Sequence, residues 1–174
     1  TVPLTDGTFI NNHSFHPGGG MRVSGNLNML RGIFFSNTAG IVITNASAIN
    51  GGGLRADAAA DITLAEFASN AVKGNGGGLY VAGNFKGTFI QVIANTAGGD
   101  GGGLYGVITT TLNGSVIGSN TAGGRGGGLF AQGNVGAQDT EFNNNNAGTD
   151  GGGVYAAQTG TLGGGQAQNN LAGG

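Results

Sequence analysis

The 174-residue chain has no cysteine, no tryptophan, two prolines and few charges, with 6 basic and 8 acidic residues. Each shortage excludes something. Without cysteine there is neither a disulfide framework nor a thiolate metal site. A net charge of −2 with no basic cluster lacks the Lys and Arg that replace counterions on a phosphate backbone, so no nucleic-acid partner is expected. No apolar run approaches the roughly 20 residues of a membrane-spanning helix, so membrane insertion is not expected either. Scarce proline and the absence of a Gly-X-Y period exclude collagen. What is abundant is glycine, 41 of 174 residues, against a usual share of roughly 7%. Such a composition reads as disorder unless the glycines recur at fixed positions.

They do recur. A Gly-Gly-Gly triplet begins at Gly51, Gly76, Gly101, Gly126 and Gly151, at intervals of 25 residues. An earlier triplet begins at Gly18, 33 residues before Gly51, which is one period plus eight residues. A second marker keeps the same phase: Asn12, Asn37, Asn45, Asn70, Asn95, Asn120, Asn145 and Asn170. The eight extra residues fall between Asn37 and Asn45, where the marker is doubled. The expected organisation is one domain over 1–174. It comprises a partial first coil 1–17, a coil carrying the insertion 18–50, and regular coils 51–75, 76–100, 101–125, 126–150 and 151–174.

Aligned copies give columns of one character. After the triplet comes Met21, Leu54, Leu79, Leu104, Leu129, Val154. Next comes Arg22, Arg55, Tyr80, Tyr105, Phe130, Tyr155, followed by the small residues Val23, Ala56, Val81, Gly106, Ala131, Ala156. Three residues before the marker Asn stands Phe9, Phe34, Phe67, Val92, Ile117, Phe142, Ala167. Alternation over short stretches between Gly/Asn turns is strand periodicity, and no helical period competes with it. One copy cannot bury both of its sides, so copies must stack. The fold class is all-β: a single-stranded, right-handed parallel β-helix of about seven coils, with three short strands per coil and ladders of equivalent residues roughly 4.8 Å apart. The aliphatic and Phe columns point inward. The Asn column sits at a turn, where Asn tolerates a left-handed backbone and bonds its counterparts above and below. The Tyr80, Tyr105, Phe130, Tyr155 column stacks on the outside and is the candidate interaction face.

The triplet with its following aliphatic residue, paired with Phe9-Ile-Asn-Asn12, Phe34-Phe-Ser-Asn37, Phe67-Ala-Ser-Asn70 and Phe142-Asn-Asn-Asn145, resembles the repeats of the polymorphic outer-membrane proteins. These are autotransporter adhesins whose passengers repeat GGA[I/L/V] and FxxN. The resemblance runs from Phe9 to Asn170. It implies a secreted β-helix on the bacterial surface with adhesive or structural roles. The third motif residue is Gly here instead of Ala, Val92, Ile117 and Ala167 replace Phe, and nothing resembles the membrane barrel.

Chemistry-bearing residues are few. Asp100, Arg125 and Asp150 precede successive triplets, which predicts a charge ladder setting coil register; a glycosidase needs two carboxylates converging on one bond. Asp139 with Glu141, and Asp57 with Asp61, read as solvated face residues. His13 and His16 share a turn without a carboxylate, too little for a metal. A calcium β-roll needs a nine-residue period, and ice binding needs one persistent Thr column, which Thr109, Thr110, Thr111, Thr159 and Thr161 do not make. Asn12 and Asn45 match glycosylation patterns but belong to the turn ladder. No catalytic, cofactor or metal site is expected, and a small-molecule substrate is not expected. Neither terminus shows a capping helix, charged plug or proline-rich stop, and open β-helix ends template pairing. The expectation is an extracellular structural subunit that self-associates head to tail into a filament; the alternatives are a passenger fragment of an adhesin and, behind it, a polysaccharide-degrading enzyme.

Overall fold

The computed structural model describes residues 1–40 and 49–173. Within them every strand is parallel to its neighbours. The strands form four sheets, three of seven strands and one of six, that run the length of a solenoid. The first sheet contains Val2–Thr5, Leu27–Leu30, Ala60–Thr63, Phe85–Thr88, Thr109–Asn113, Asn134–Gln138 and Gly160–Gly163. The second contains Thr8–Ile10, Ile33–Phe35, Glu66–Ala68, Gln91–Ile93, Val116–Gly118, Glu141–Asn143 and Ala167–Gln168. The third is built from two-residue strands, among them Thr38–Ala39, Ala71–Val72 and Thr121–Ala122. The fourth starts at Met21–Val23 and ends at Val154–Ala156. Each coil after the partial first one thus has four strands instead of the three expected. The extra one is the dipeptide after the marker Asn, too short to show alternation of its own.

Register follows the repeat. Leu79 pairs with Leu104, Phe67 with Val92 and Ala122 with Ala147, each 25 residues apart. Across the insertion the offset becomes 33, as in Met21 with Leu54 and Thr38 with Ala71. Asn45 and the rest of the insertion, 41–48, lie outside the described residues.

The interior follows the columns. Leu54, Leu79, Leu104 and Leu129 are fully buried, as are Phe34, Phe67, Val92 and Ile117. Phe9, Phe34 and Phe67 stack with centroids 4.7 and 4.8 Å apart. In the first sheet residue size varies from coil to coil and is balanced within each coil, as where Ala60 is accompanied by Ile62. Phe85 is accompanied by Gly87, where a Cβ would stand 2.8 Å from Ile90 and 2.9 Å from Leu112. A smaller apolar cluster of Ala39, Ile49, Val72 and Ala97 lies under the third sheet. Such close packing leaves little slack for volume changes.

One core position breaks the pattern. Thr110 is fully buried in the column of Leu27, Ala60, Phe85 and Val135, and its Oγ1 has no hydrogen-bond partner among the described residues. Valine has nearly the same shape and already occupies position 135 of the next coil. Replacing an unpaired buried hydroxyl by a methyl removes a desolvation cost. Thr110→Val is therefore expected to raise the urea midpoint, by an amount equivalent to about 1 kcal/mol; an unchanged or lower midpoint contradicts this reading of the core.

Candidate functional site

The most specific arrangement in the molecule is the asparagine ladder. Asn37, Asn70, Asn95, Asn120 and Asn145 are buried to 1% exposure or less. Asn95 shows the rule. Its Nδ2 donates to the Phe67 carbonyl of the preceding coil at 2.8 Å and to Asn120 Oδ1 of the following coil at 3.0 Å. Its Oδ1 accepts the Asn70 backbone N–H at 2.9 Å and Asn70 Nδ2 at 3.0 Å. All four hydrogen-bonding positions of the amide are filled. The same set recurs at Asn70, Asn120 and Asn145, and Asn37 bonds directly to Asn70 across the insertion.

The Asn does not itself adopt the left-handed backbone, which corrects the expectation from sequence. That conformation belongs to the residue before it: Asn11, Ser36, Ser69, Ala94, Ser119, Asn144 and Asn169 all have φ between 53° and 56°. Turning the chain there, one residue early, is what aims the Asn side chain inward instead of out into solvent. A second left-handed column, Asp6, Arg31, Leu64, Phe89, Gly114, Asp139 and Gly164, forms the corner between the first and second sheets. Its mixed residue types hide it from any motif search.

The triplet faces the ladder, and its three glycines have separate reasons. The first has positive φ in every copy, where a side chain is strained. At the second, a Cβ at Gly77 would overlap the Gly102 carbonyl oxygen of the next coil. At the third, a Cβ at Gly78 would stand 2.9 Å from the Gly103 oxygen and 3.1 Å from the Asn95 amide. Glycine here admits the neighbouring backbone and the Asn amide together.

Immediately before the triplet runs another ladder, of opposite direction. Asn75 N–H donates to Asn50 Oδ1 at 2.9 Å, Asp100 N–H to Asn75 Oδ1 at 2.8 Å, and Arg125 N–H to Asp100 Oδ1 at 2.7 Å. The charge ladder expected here is realised on one side. Arg125 Nη2 bonds Asp100 Oδ2 at 3.0 Å, and its guanidinium lies over the Phe130 and Tyr155 rings at 4.9 and 5.0 Å. Asp150 is exposed and makes no ion pair among the described residues. The hydrogen bond to Asp100 holds the Arg125 guanidinium above its ordinary pKa. Sequence reading saw the charges but missed Asn50 and Asn75, because the common element is an acceptor oxygen, not a charge.

The aromatic column stacks in register, with Phe130 buried and Tyr80, Tyr105 and Tyr155 half-buried. Tyr80–Tyr105, Tyr105–Phe130 and Phe130–Tyr155 centroids are 5.1, 4.7 and 5.2 Å apart, and Arg55 covers Tyr80 at 4.9 Å. Because the rings cover one another's faces, the strip presents edges and hydroxyls, and burial raises the Tyr105 hydroxyl pKa. Near its start Asp57 is bonded by Arg22 and Arg55; burial opposes ionisation, yet the two guanidinium bonds hold its carboxyl below the ordinary value. Asp61 instead pairs with Lys86 at 3.2 Å. Asp139 accepts from Gln138, and Glu141 from Asn143. His13 and His16 meet no carboxylate, and no group of three or more His, Asp or Glu that could hold a metal ion occurs among the described residues.

With the ladders in place, the comparison with known families has a structural meaning. Residues 139–157 match the Chlamydia polymorphic membrane protein repeat. That stretch holds Phe142, the ladder Asn145, the triplet Gly151 to Gly153 and Val154, so the match spans both halves of the Asn–glycine contact. The polymorphic membrane protein repeat and the parallel solenoid agree with the resemblance read from the sequence. The matched repeat suggests a passenger-like β-helix of the kind found in bacterial outer-membrane proteins. Curated proteins and solved structures yield no match.

Four consecutive asparagines isolate the ladder's contribution. Asn143 bonds Glu141, Asn144 has φ 56°, Asn145 is the buried rung, and Asn146 points outward. Removing the Asn145 amide orphans groups on the two flanking coils, at Ile117 and Asn120 on one side and Asn170 on the other, each worth about 1–3 kcal/mol. Asn145→Ala is expected to lower stability by about 3 kcal/mol or more in urea denaturation, and Asn146→Ala by no more than about 0.5 kcal/mol. Equal effects contradict the assignment.

Proposed function

We propose that this chain is a structural element of the bacterial exterior whose coils stack end to end with further copies of the same repeat, forming a fibre. The observation that carries this reading is the polarity of the asparagine ladder. Among the described residues, nothing donates to Asn12 Oδ1 at one end of the ladder. At the other end, Asn170 Nδ2 donates only to the Phe142 carbonyl, and its N–H has no acceptor. One end face therefore offers acceptors where the other offers donors, in the register used inside. The apolar columns match too. Leu4 and Phe9 are half-buried at the first face, and Leu162 and Ala167, in the same columns, are exposed at the last. Continued by further copies of the repeat, within one chain or between chains, such a contact does not close and lengthens the solenoid into a filament.

The second reading is an adhesin passenger that binds a surface ligand through Tyr80, Tyr105, Phe130 and Tyr155. The repeat match favours it as much as the fibre, but the strip's geometry does not: ring faces already covered by neighbours and by Arg55 and Arg125 cannot stack on a sugar or a planar ligand. The purified 174-residue chain is expected to form filaments of one solenoid's width in electron microscopy at high concentration. Discrete particles with saturable ligand binding that is lost in Tyr105→Ala would replace the fibre with the adhesin.

A further inference from the structure

The left-handed corner between the first and second sheets carries an anomaly. In most coils it holds residues that tolerate the conformation or stay solvated: Asp6, Arg31, Gly114, Asp139 and Gly164. In two adjacent coils it holds Leu64 and Phe89, with φ 56° and 52°. Bulky apolar side chains there cost conformational energy and, at 53% and 56% exposure, recover little from burial in the single chain. They are not alone. Ile10, Ile33 and Phe35 on the outer face of the second sheet are 42% to 48% exposed, and Ile10 is the register partner of Phe35. Beside this ridge lies a depression of about 500 Å³, lined by Arg31, Ile33, Leu64, Glu66, Phe89 and Gln91 among others.

We infer that this corner is a lateral interface with a second copy of the chain. The five apolar side chains expose on the order of 500 Å², taking about 150–250 Å² for a whole large side chain. Two such patches bury on the order of 1,000 Å², the lower bound for a specific interface. An apolar ridge next to a hollow of matching character is self-complementary under a two-fold axis, as an isologous contact requires: the Leu64–Phe89 ridge of each copy enters the hollow of the other. Asp6, Arg31 and Glu66 stand at the hollow and give it a polar rim, and Arg31 is already neutralised by Asp6. The strain at Leu64 and Phe89, only partly offset by burial in the monomer, is offset further in the dimer. The contact uses a side face of the solenoid, so it stands independently of end-to-end stacking and would bind fibres side by side.

The test exploits the backbone. Asn is the side chain best suited to a left-handed position, so the double variant Leu64→Asn, Phe89→Asn folds at least as stably as the parent, which thermal denaturation checks. Sedimentation velocity is expected to show a dimer for the parent and self-association weaker by roughly tenfold or more for the variant. If end-to-end filaments form, the parent is expected as paired fibres and the variant as single ones, so loss of pairing and loss of filaments are read separately. A parent that stays monomeric and unpaired at every concentration, or a variant that pairs as well as the parent, overturns the inference.

Discussion

An asparagine amide can be buried cheaply only if all four of its hydrogen-bonding positions are met, and in this chain they are met only when another coil lies on each side. The Asn95 Oδ1 needs the backbone and side chain of Asn70, and its Nδ2 needs Phe67 and Asn120. This makes each coil a condition for its neighbours. It also fixes register, since a slip of one residue would bring Ser69, Ala94 or Ser119 into the wall and leave the amides unpaired. Stacking hydrophobic columns supply more of the attraction, but apolar contact alone does not distinguish one register from the next.

The glycine triplet is the other half of the same contact. Backbone carbonyls of successive coils and the Asn amide approach the triplet so closely that no side chain fits at its second or third position. The low charge of the chain follows the same logic. Every column repeats beside itself at one strand spacing, so like charges would be stacked on like. Several charges are paired across coils, Arg31 with Asp6, Lys86 with Asp61 and Arg125 with Asp100, each an exposed or half-exposed contact worth little by itself, and where Arg22 stacks on Arg55 the two share Asp57.

Most of the architecture was legible because the repeat is exact in spacing. The coil length, the inward columns at Leu79 and Phe67, the Asn ladder and the outer aromatic stack are all visible as residues recurring at 25. What escaped has a common physical cause. The third sheet's strands are two residues long and have no period to detect. The corner at Asp6, Arg31, Leu64 and Phe89 is defined by φ and not by residue type, so no column of similar letters marks it. The ladder through Asn50, Asn75 and Asp100 is defined by a single acceptor oxygen, which Asn and Asp supply alike. Residue preference alone puts the left-handed turn on the Asn, whereas the packing of the amide requires it on the residue before.

A solenoid whose coils are held by inward-facing amides leaves its outer faces free to vary. The polymorphic membrane protein repeat over residues 139–157 is one instance of the contact seen in every coil. Hydrogen exchange tests that contact most directly. The backbone N–H and side-chain Nδ2 of Asn70, Asn95 and Asn120 should exchange only when the whole stack opens, slower than the exposed turn residue Asn84 by the full unfolding equilibrium. Exchange of these amides at the rate of the exposed turns, with the sheets still intact, would contradict the account.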